Sequence, residues 1–465
     1  MEKRLIAVAM LAASAASAAP RAHPPTAHPP TAPLPTAPGA TALSPDADPP
    51  IGYAARKGDN LYNLALHYMH RLSDYHIVQR RNHIRDPYRI PIGTNILIPR
   101  SLLRSDPLEA KVIAFRGTAT IDGKAAIMGA TVNEGGHIQT GQNAFLSIGL
   151  ADGSTITLPS QTRVQVERLR RFRLTNELER LFRVDDGRTQ TEVTPRTNGR
   201  DRFEMRTPIS VAAVRGTDFR VAVLDGGKAA TSEVLGGHVE LAGGGAQTLL
   251  DPGEGVRVSA DGTTGPIKLL PPPDLADPTQ IQSEPELAFA IAPLDQAKQY
   301  RVQVAKDAGF LDLVEEVVVD RPQATLPSLP DGDWFVRITG IDANAIEGLP
   351  HVISFERFLL GIRATAEAVN GRTYLFKWQD FGQGPHRYRF FLARDDAPDR
   401  PVIDEPGLTA QSFVATDLPT GDYVWRVQIS GASHNRIHTS WSTQQTLTIA
   451  VVSNAPRKRA KPPAS

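Results

Sequence analysis

TPISVAAVRGTDFRV, residues 207–221, sets its apolar residues on alternate positions. Ile209, Val211, Ala213, Thr217, Phe219 and Val221 all carry odd numbers, the period-two mark of a strand with one buried face. Arg215 shares that parity, and a glycine follows it. An unbroken strand from Ile209 to Val221 would be roughly twice the usual length. Gly216 is able to take a positive φ, so a bulge or kink is predicted at 215–217. Arg215 is expected on the buried side unless Gly216 redirects it, with Asp218 or Glu204 as partner, because an unpaired buried charge is too costly. The competing reading is a reactive turn.

Working outward, residues 112–270 repeat one texture. Short apolar alternations are separated by glycine turns, as in IDGKA (121–125), LADGSTITL (150–158), LDGGKA (224–229) and LDPGEGVRV (250–258). Asp-Gly and Gly-Gly between alternating runs are hairpin signals. An echo, GGHI at 135–138 and GGHV at 236–239, places histidines in matching turns, where strand entry explains the pattern better than a metal site. Beyond the linker LLPPPDLADP (269–278) lies a second repeat. YRVQVAKD (300–307) matches YRFFLARD (388–395), and DGDWFVRI (331–338) matches TGDYVWRV (420–427). A strand-rich unit of about 90 residues has the size of an immunoglobulin-like sandwich. Two are expected, at 279–359 and 360–452.

Residues 51–102 differ. A short strand from Ile51 leads to Gly58, and Asp59 or Asn60 is placed to cap a helix. Leu61, Leu64, Ala65 and Tyr68 share one helical face, a second short helix carries Ile77 and Val78, and NILIP (95–99) forms a second strand. The predicted order is β-α-α-β, a module with its own core, joined by a linker to the next domain and weakly coupled to it.

The chain has 465 residues, 51 basic and 50 acidic, a net charge of +1, and no cysteine. Several domains are implied. Disulfides, thiolate catalysis and cysteine zinc sites are excluded, and the charge balance gives no pull toward nucleic acid. Residues 1–18 read as a signal peptide, with Ala16-Ser17-Ala18 as cleavage site. Residues 19–50 read as a Pro/Ala/Thr-rich linker and 453–465 as a basic disordered tail. No later segment is long and apolar enough to span a membrane, so no transmembrane segment is expected in the mature chain.

Two resemblances can be drawn. The run Tyr53, Lys57-Gly58-Asp59-Asn60-Leu61, Leu64-Ala65, Tyr68, Ile77, Asn82, Pro91, Gly93 and Leu97-Ile98-Pro99 resembles a LysM domain. That resemblance implies peptidoglycan, or another N-acetylglucosamine-containing glycan, as partner. The implied groove is lined by Asp59, Asn60, Leu61 and Tyr62 on one side and by Ile84, Arg85, Asp86, Tyr88 and Ile90 on the other. The +5 charge of 51–100, eight basic residues against three acidic, suits an anionic polymer. Residues 108–270, with VIAFRGTATI, the 129–158 run, TPISVAAVRGTDFRV, VLGGHVEL and LDPGEGVRV, resemble the FecR domain of periplasmic signalling regulators. On that resemblance Arg215, Gly216 and Thr217 are a structural signature. The two C-terminal repeats resemble, loosely, fibronectin type III or other immunoglobulin-like modules.

The expected fold is therefore mainly β and multidomain: a small β-α-α-β LysM module, an all-β FecR-like domain and two immunoglobulin-like β-sandwiches. No G-x-S-x-G, H-E-x-x-H or phosphate loop is present, so neither an enzyme nor a cofactor is implied. The expected function is a non-enzymatic exported envelope protein, periplasmic or cell-wall associated. It binds peptidoglycan and presents its β-domains to an envelope protein partner not named by the sequence. The alternative is a periplasmic sensor or regulator that receives a signal through the FecR-like domain, a reading the missing membrane helix disfavours. A cell-wall hydrolase accessory or enzyme ranks third.

Overall fold

A computed structural model describes residues 48–195, 200–276, 281–370, 372–433 and 436–450. The signal peptide, most of the linker at 19–50 and the tail at 453–465 lie outside the described residues.

The N-terminal head is a two-stranded sheet with two helices. Ile51–Ala54 pairs antiparallel with Asn95–Ile98, placing Ile51 opposite Ile98. Helix Leu61–Tyr68 starts at Asn60, whose Oδ1 accepts from the Asn63 amide at 2.7 Å and so satisfies a free first-turn donor. Leu61, Leu64 and Ala65 are buried against Val78 of helix Tyr75–Arg81 and the sheet.

The expectation of a head set apart by a linker is corrected. Phe172 and Leu174 of the next domain complete the head's core. Arg100 is buried and reaches Glu177 at 3.7 Å and Glu179 at 3.4 Å. Strand Ser105–Pro107 already pairs with Arg170, Arg171 and Phe172, so hardly any chain is left to act as a hinge. The physical reason is the small head: a fifty-residue module buries too little surface alone and borrows a neighbour's side chains.

The central domain, Ser105–Lys268, closes as a β-barrel. Ile148, Ile156, Val164, Phe182, Phe203, Phe219, Val239 and Val256 fill it. Strand Leu178–Glu192 is 15 residues long and turns at Gly187 (φ 77°). Its first half pairs with Arg202–Arg206 and its second half with Asp218–Leu224.

The same division answers the opening stretch. Ser210–Val214 pairs with Val239–Gly243, whereas Asp218–Leu224 pairs with Leu178–Glu192 and Ala229–Gly236. Between them the chain changes sheet at Gly216, φ 63°, where a Cβ would sit 2.9 Å from Pro195. The change of course also shifts the parity. Ala212 and Val214 face the core before the glycine; Phe219, Val221 and Val223 face it afterwards. Arg215 is therefore exposed, and the expectation of a buried, paired arginine there is corrected. Glu204, offered as its partner, pairs with Arg202 and Arg206. Thr217 is buried, its hydroxyl donating to the His238 carbonyl at 3.0 Å.

Two sandwiches complete the described chain. In the first, the five-stranded sheet that includes Gln299–Ala305, Leu313–Val319 and Gly332–Ile341 packs on the pair Leu287–Ala290 and Gln323–Leu326. In the second, Leu360–Asn370, Thr373–Gly382 and Ser412–Ala415 face the sheet around Arg387–Arg394 and Gly421–Ser433. Tyr300 and Tyr388, matched in the sequence repeat, both lie in their sandwich cores.

Candidate functional site

Two places concentrate polar and aromatic side chains. One is the outer face of the head, where the loop into the first helix meets the loop after the second. The Leu61 amide donates to the Pro87 carbonyl at 2.8 Å and holds the loops together. Tyr62 stands 6.1 Å from Tyr88 and 6.3 Å from Tyr75, ring centre to ring centre. Tyr88 is 59% exposed, so the aromatic group opens to solvent. Burial and the neighbouring Tyr88 raise the Tyr75 phenol above its ordinary pKa.

The groove residues named from the sequence divide into two kinds. Tyr62, Arg85, Asp86 and Tyr88 reach the outside. Leu61 is fully buried, and Ile84 and Ile90 pack on the core, so all three serve the fold. Asp59 is held by its neighbours: its Oδ2 accepts from the Tyr53 hydroxyl at 2.6 Å and from the Arg56 amide at 2.7 Å. Burial and that bond push the Tyr53 phenol up to about 12. Asn60 is committed to its cap, and Asp86 Oδ1 accepts from the Tyr88 amide at 2.9 Å, fixing the loop. Sequence reasoning misses Tyr75, because nothing in the spacing of its neighbours signals that it faces Tyr62.

The second place, between the barrel and the first sandwich, is not legible in the sequence as a site. A cleft of about 710 Å³ lies there. Glu347 sits at its centre, on the loop after Gly332–Ile341. Its carboxylate meets Arg188 at 2.6 Å, Arg220 at 2.9 Å and Arg301 at 3.0 Å, and accepts from the Thr339 hydroxyl at 2.8 Å. Glu316 bridges Arg188 at 2.6 Å and Arg301 at 3.0 Å, and takes a bond from Gln303 at 2.5 Å. Arg220 also donates to the carbonyls of Glu347 and Gly348, both at 2.7 Å. Arg188 and Arg220 come from the barrel, Arg301 and both glutamates from the sandwich.

Burial alone would raise Glu347, but Arg220, Arg188 and Arg301 outweigh it and hold the carboxyl well below its usual range. Burial likewise opposes, and Arg188 and Arg301 overcome, in Glu316. Glu233, on the barrel side, goes the other way: burial dominates the pull of Arg220 and lifts its carboxyl to about 7. The interface closes tightly elsewhere. Phe145 of the barrel joins Ala305, Phe310 and Leu313 in an apolar cluster. Gly255 lies so close to the sandwich loop that a Cβ there would stand 2.8 Å from Ile346.

The FecR protein family matches residues 136–240, a span that contains the sheet change at Gly216 and both barrel arginines of the cleft. No curated protein matches the chain. Among solved structures, a candidate anti-sigma factor from Parabacteroides distasonis is 20% identical, with a TM-score of 0.24; the alignment covers 28% of this chain and 59% of that one. A two-domain fibronectin type III segment of chicken tenascin is 14% identical with a TM-score of 0.20, over 39% of this chain and 99% of its own. Fibronectin(III)-like modules of Clostridium thermocellum CbhA are 8% identical with a TM-score of 0.19, over 37% of this chain and 90% of theirs. The class defined by the sheets is a mainly β, multidomain chain. Within it, the match to the FecR protein family falls inside the barrel, at residues 136–240. Among the described residues no helix is long and apolar enough to cross a membrane.

Proposed function

We propose that this chain is a non-enzymatic regulator of the cell envelope, in which the FecR-type barrel receives a signal and the sandwich fixed to it passes that signal on. The observation that carries the reading is the FecR family match over 136–240. Support comes from the cleft: the arginines of that match are joined to Glu316 and Glu347 of the sandwich, so a change in the barrel alters the sandwich's charge contacts. Receipt of a signal then requires only that a partner bind one arrangement of the two domains more tightly than another. An exported, periplasmic location fits this role. The test compares transcripts in cells with the gene deleted, intact, and carrying Glu347→Ala. A common set of genes should shift in the deletion and in the variant. An unchanged transcript profile in the deletion overturns the reading.

A second reading, glycan binding by a LysM-like head, is favoured by the exposed Tyr62–Tyr75–Tyr88 group. Aromatic faces beside polar loops suit sugar rings, and a single module binds weakly unless clustered. Because the head shares its core with the barrel, the test uses the whole chain. Pelleting with peptidoglycan should be competed by N-acetylglucosamine oligomers and weakened by Tyr88→Ala. Pelleting that moderate salt abolishes while oligomers leave it untouched is charge attraction alone, and ends this reading.

A further inference from the structure

Four arginines enter the cleft between barrel and sandwich, and three of them have carboxylate partners. Among the described residues Arg337 has no carboxylate within ion-pair distance, and Glu347, Glu316 and Asp218 act on it only from farther away. Its Nε donates to Gln303 Oε1 at 2.8 Å, and its guanidinium carbon lies 4.3 Å from the centre of the Phe310 ring. The side chain is only 8% exposed, yet it lines the cleft. Stacking on Phe310 and the bond to Gln303 fix the guanidinium plane and leave its two terminal nitrogens as an unused fork.

We propose that this cleft binds a small hydroxylated carboxylic acid, with Arg337 receiving the carboxylate. A planar fork fits a carboxylate with two parallel N–H···O bonds. The remaining wall supplies the second half of the recognition. Gln142, Asn143, Gln161 and Gln299 line the cleft with amides, groups that pair with ligand hydroxyls. A volume of about 710 Å³ is in the range of small-molecule sites. Charge favours a single negative charge on the ligand. Asp186, Glu233, Glu316 and Glu347 share the cleft with the four arginines, so the second charge of a phosphate dianion meets more repulsion than a lone carboxylate does. Burial, only partly offset by Glu347 and Glu316 and reinforced by the neighbouring Arg220 and Arg188, brings the Arg337 guanidinium down to about 9.

Asp218 is the internal competitor. It stands two residues from Arg220 on the same strand, its Oδ1 is buried without a hydrogen-bond partner, and Gln190 bonds its carboxylate. A pairing of Arg337 with Asp218 would fill the fork and leave no site.

The test is calorimetric titration of the whole chain with gluconate, glucuronate, acetate and inorganic phosphate. Gluconate or glucuronate should bind saturably, acetate more weakly, and phosphate not at all. Arg337→Gln should weaken binding at least about tenfold, equivalent to about 1.4 kcal/mol. Arg337→Lys keeps the charge without the fork and should fall between the two. Gln142→Trp, at an exposed rim position, should block entry with Arg337 intact, which keeps the test valid if Arg337→Gln melts early. Asp218→Asn should bind as well as the parent chain or better. The site is overturned by no saturable binding up to about 10 mM of either hydroxylated acid, by phosphate binding equally well, or by binding unaffected in both Arg337 variants. It is also overturned if only Asp218→Asn binds. The site stands apart from the signalling reading. Binding without a transcript change removes that reading alone, and a transcript change without binding removes the site alone.

Discussion

The two sandwiches carry the same ion pair in different surroundings. In the first, Arg301 meets Glu316 at 3.0 Å; in the second, Arg389 meets Asp404 at 2.5 Å. The partners are 15 residues apart in both repeats and join the same pair of adjacent strands. Arg337 and its counterpart Arg426 each lie over an aromatic ring, 4.3 Å from Phe310 and 4.2 Å from Trp441. What differs is the cover. The barrel lies on the first sheet face and adds Arg188 and Arg220, whereas Arg389 is 41% exposed. The same motif is the centre of a domain interface in one copy and a surface pair in the other. The comparison separates the effect of burial from the effect of chemistry.

Four measurements break or sharpen that contrast. Glu347→Ala leaves Arg188 and Arg301 to share Glu316, and Arg220 with Glu233 at 3.8 Å as its nearest carboxylate, and should cost about 3–5 kcal/mol by denaturant unfolding, because breaking a buried ion pair leaves charge that is not rehydrated. A loss below about 1 kcal/mol would mean that water reaches the interface and that the two copies are alike. Glu233→Gln addresses pH. The folded-state value of about 7 lies above the ordinary 4.5, so the folded chain holds the proton more tightly. Stability from this group is full below about 4.5 and declines as pH rises toward 7, by at most about 3 kcal/mol. The glutamine variant should flatten that decline, and an unchanged pH profile of melting would show Glu233 to be hydrated. Asp404→Ala, the exposed counterpart, should cost no more than about 1 kcal/mol and less in high salt. Arg215→Ala, an exposed arginine on a sheet corner, should change stability by less than about 0.5 kcal/mol. A larger loss would place Arg215 in a contact the folded chain does not display.

How much could be read in advance depends on which interactions are local. Hairpins and the helix cap at Asn60 depend on neighbours within a few positions, and the alternation and glycine spacing carry them, while the ninety-residue repeat is legible because the chain repeats itself. Arg215 misled because parity holds only within one sheet. Gly216 signalled a break, but not that the chain would leave one sheet for another and reverse which positions face inward. Arg220, five residues on, is the buried arginine of that stretch, and its partner Glu347 is 127 residues away. No period in the sequence links such positions. The head shows the same limit: its helical face was legible, but Phe172 and Leu174 complete its core from across the chain.

That shared core has a mechanical consequence. Phe172 and Leu174 lie at the turn leading into Leu178–Glu192, and Arg188 near the far end of that strand grips the first sandwich. The ten steps of strand from Leu178 to Arg188, at about 3.3 Å each, give a strut of about 33 Å that bends at Gly187. A tether fastened to the head does not pull on a slack leash. Tension enters the strut at its turn and loads the ladders on both its edges. Strain on the head is thus carried along this strand toward the arginine–glutamate clamp that joins barrel and sandwich.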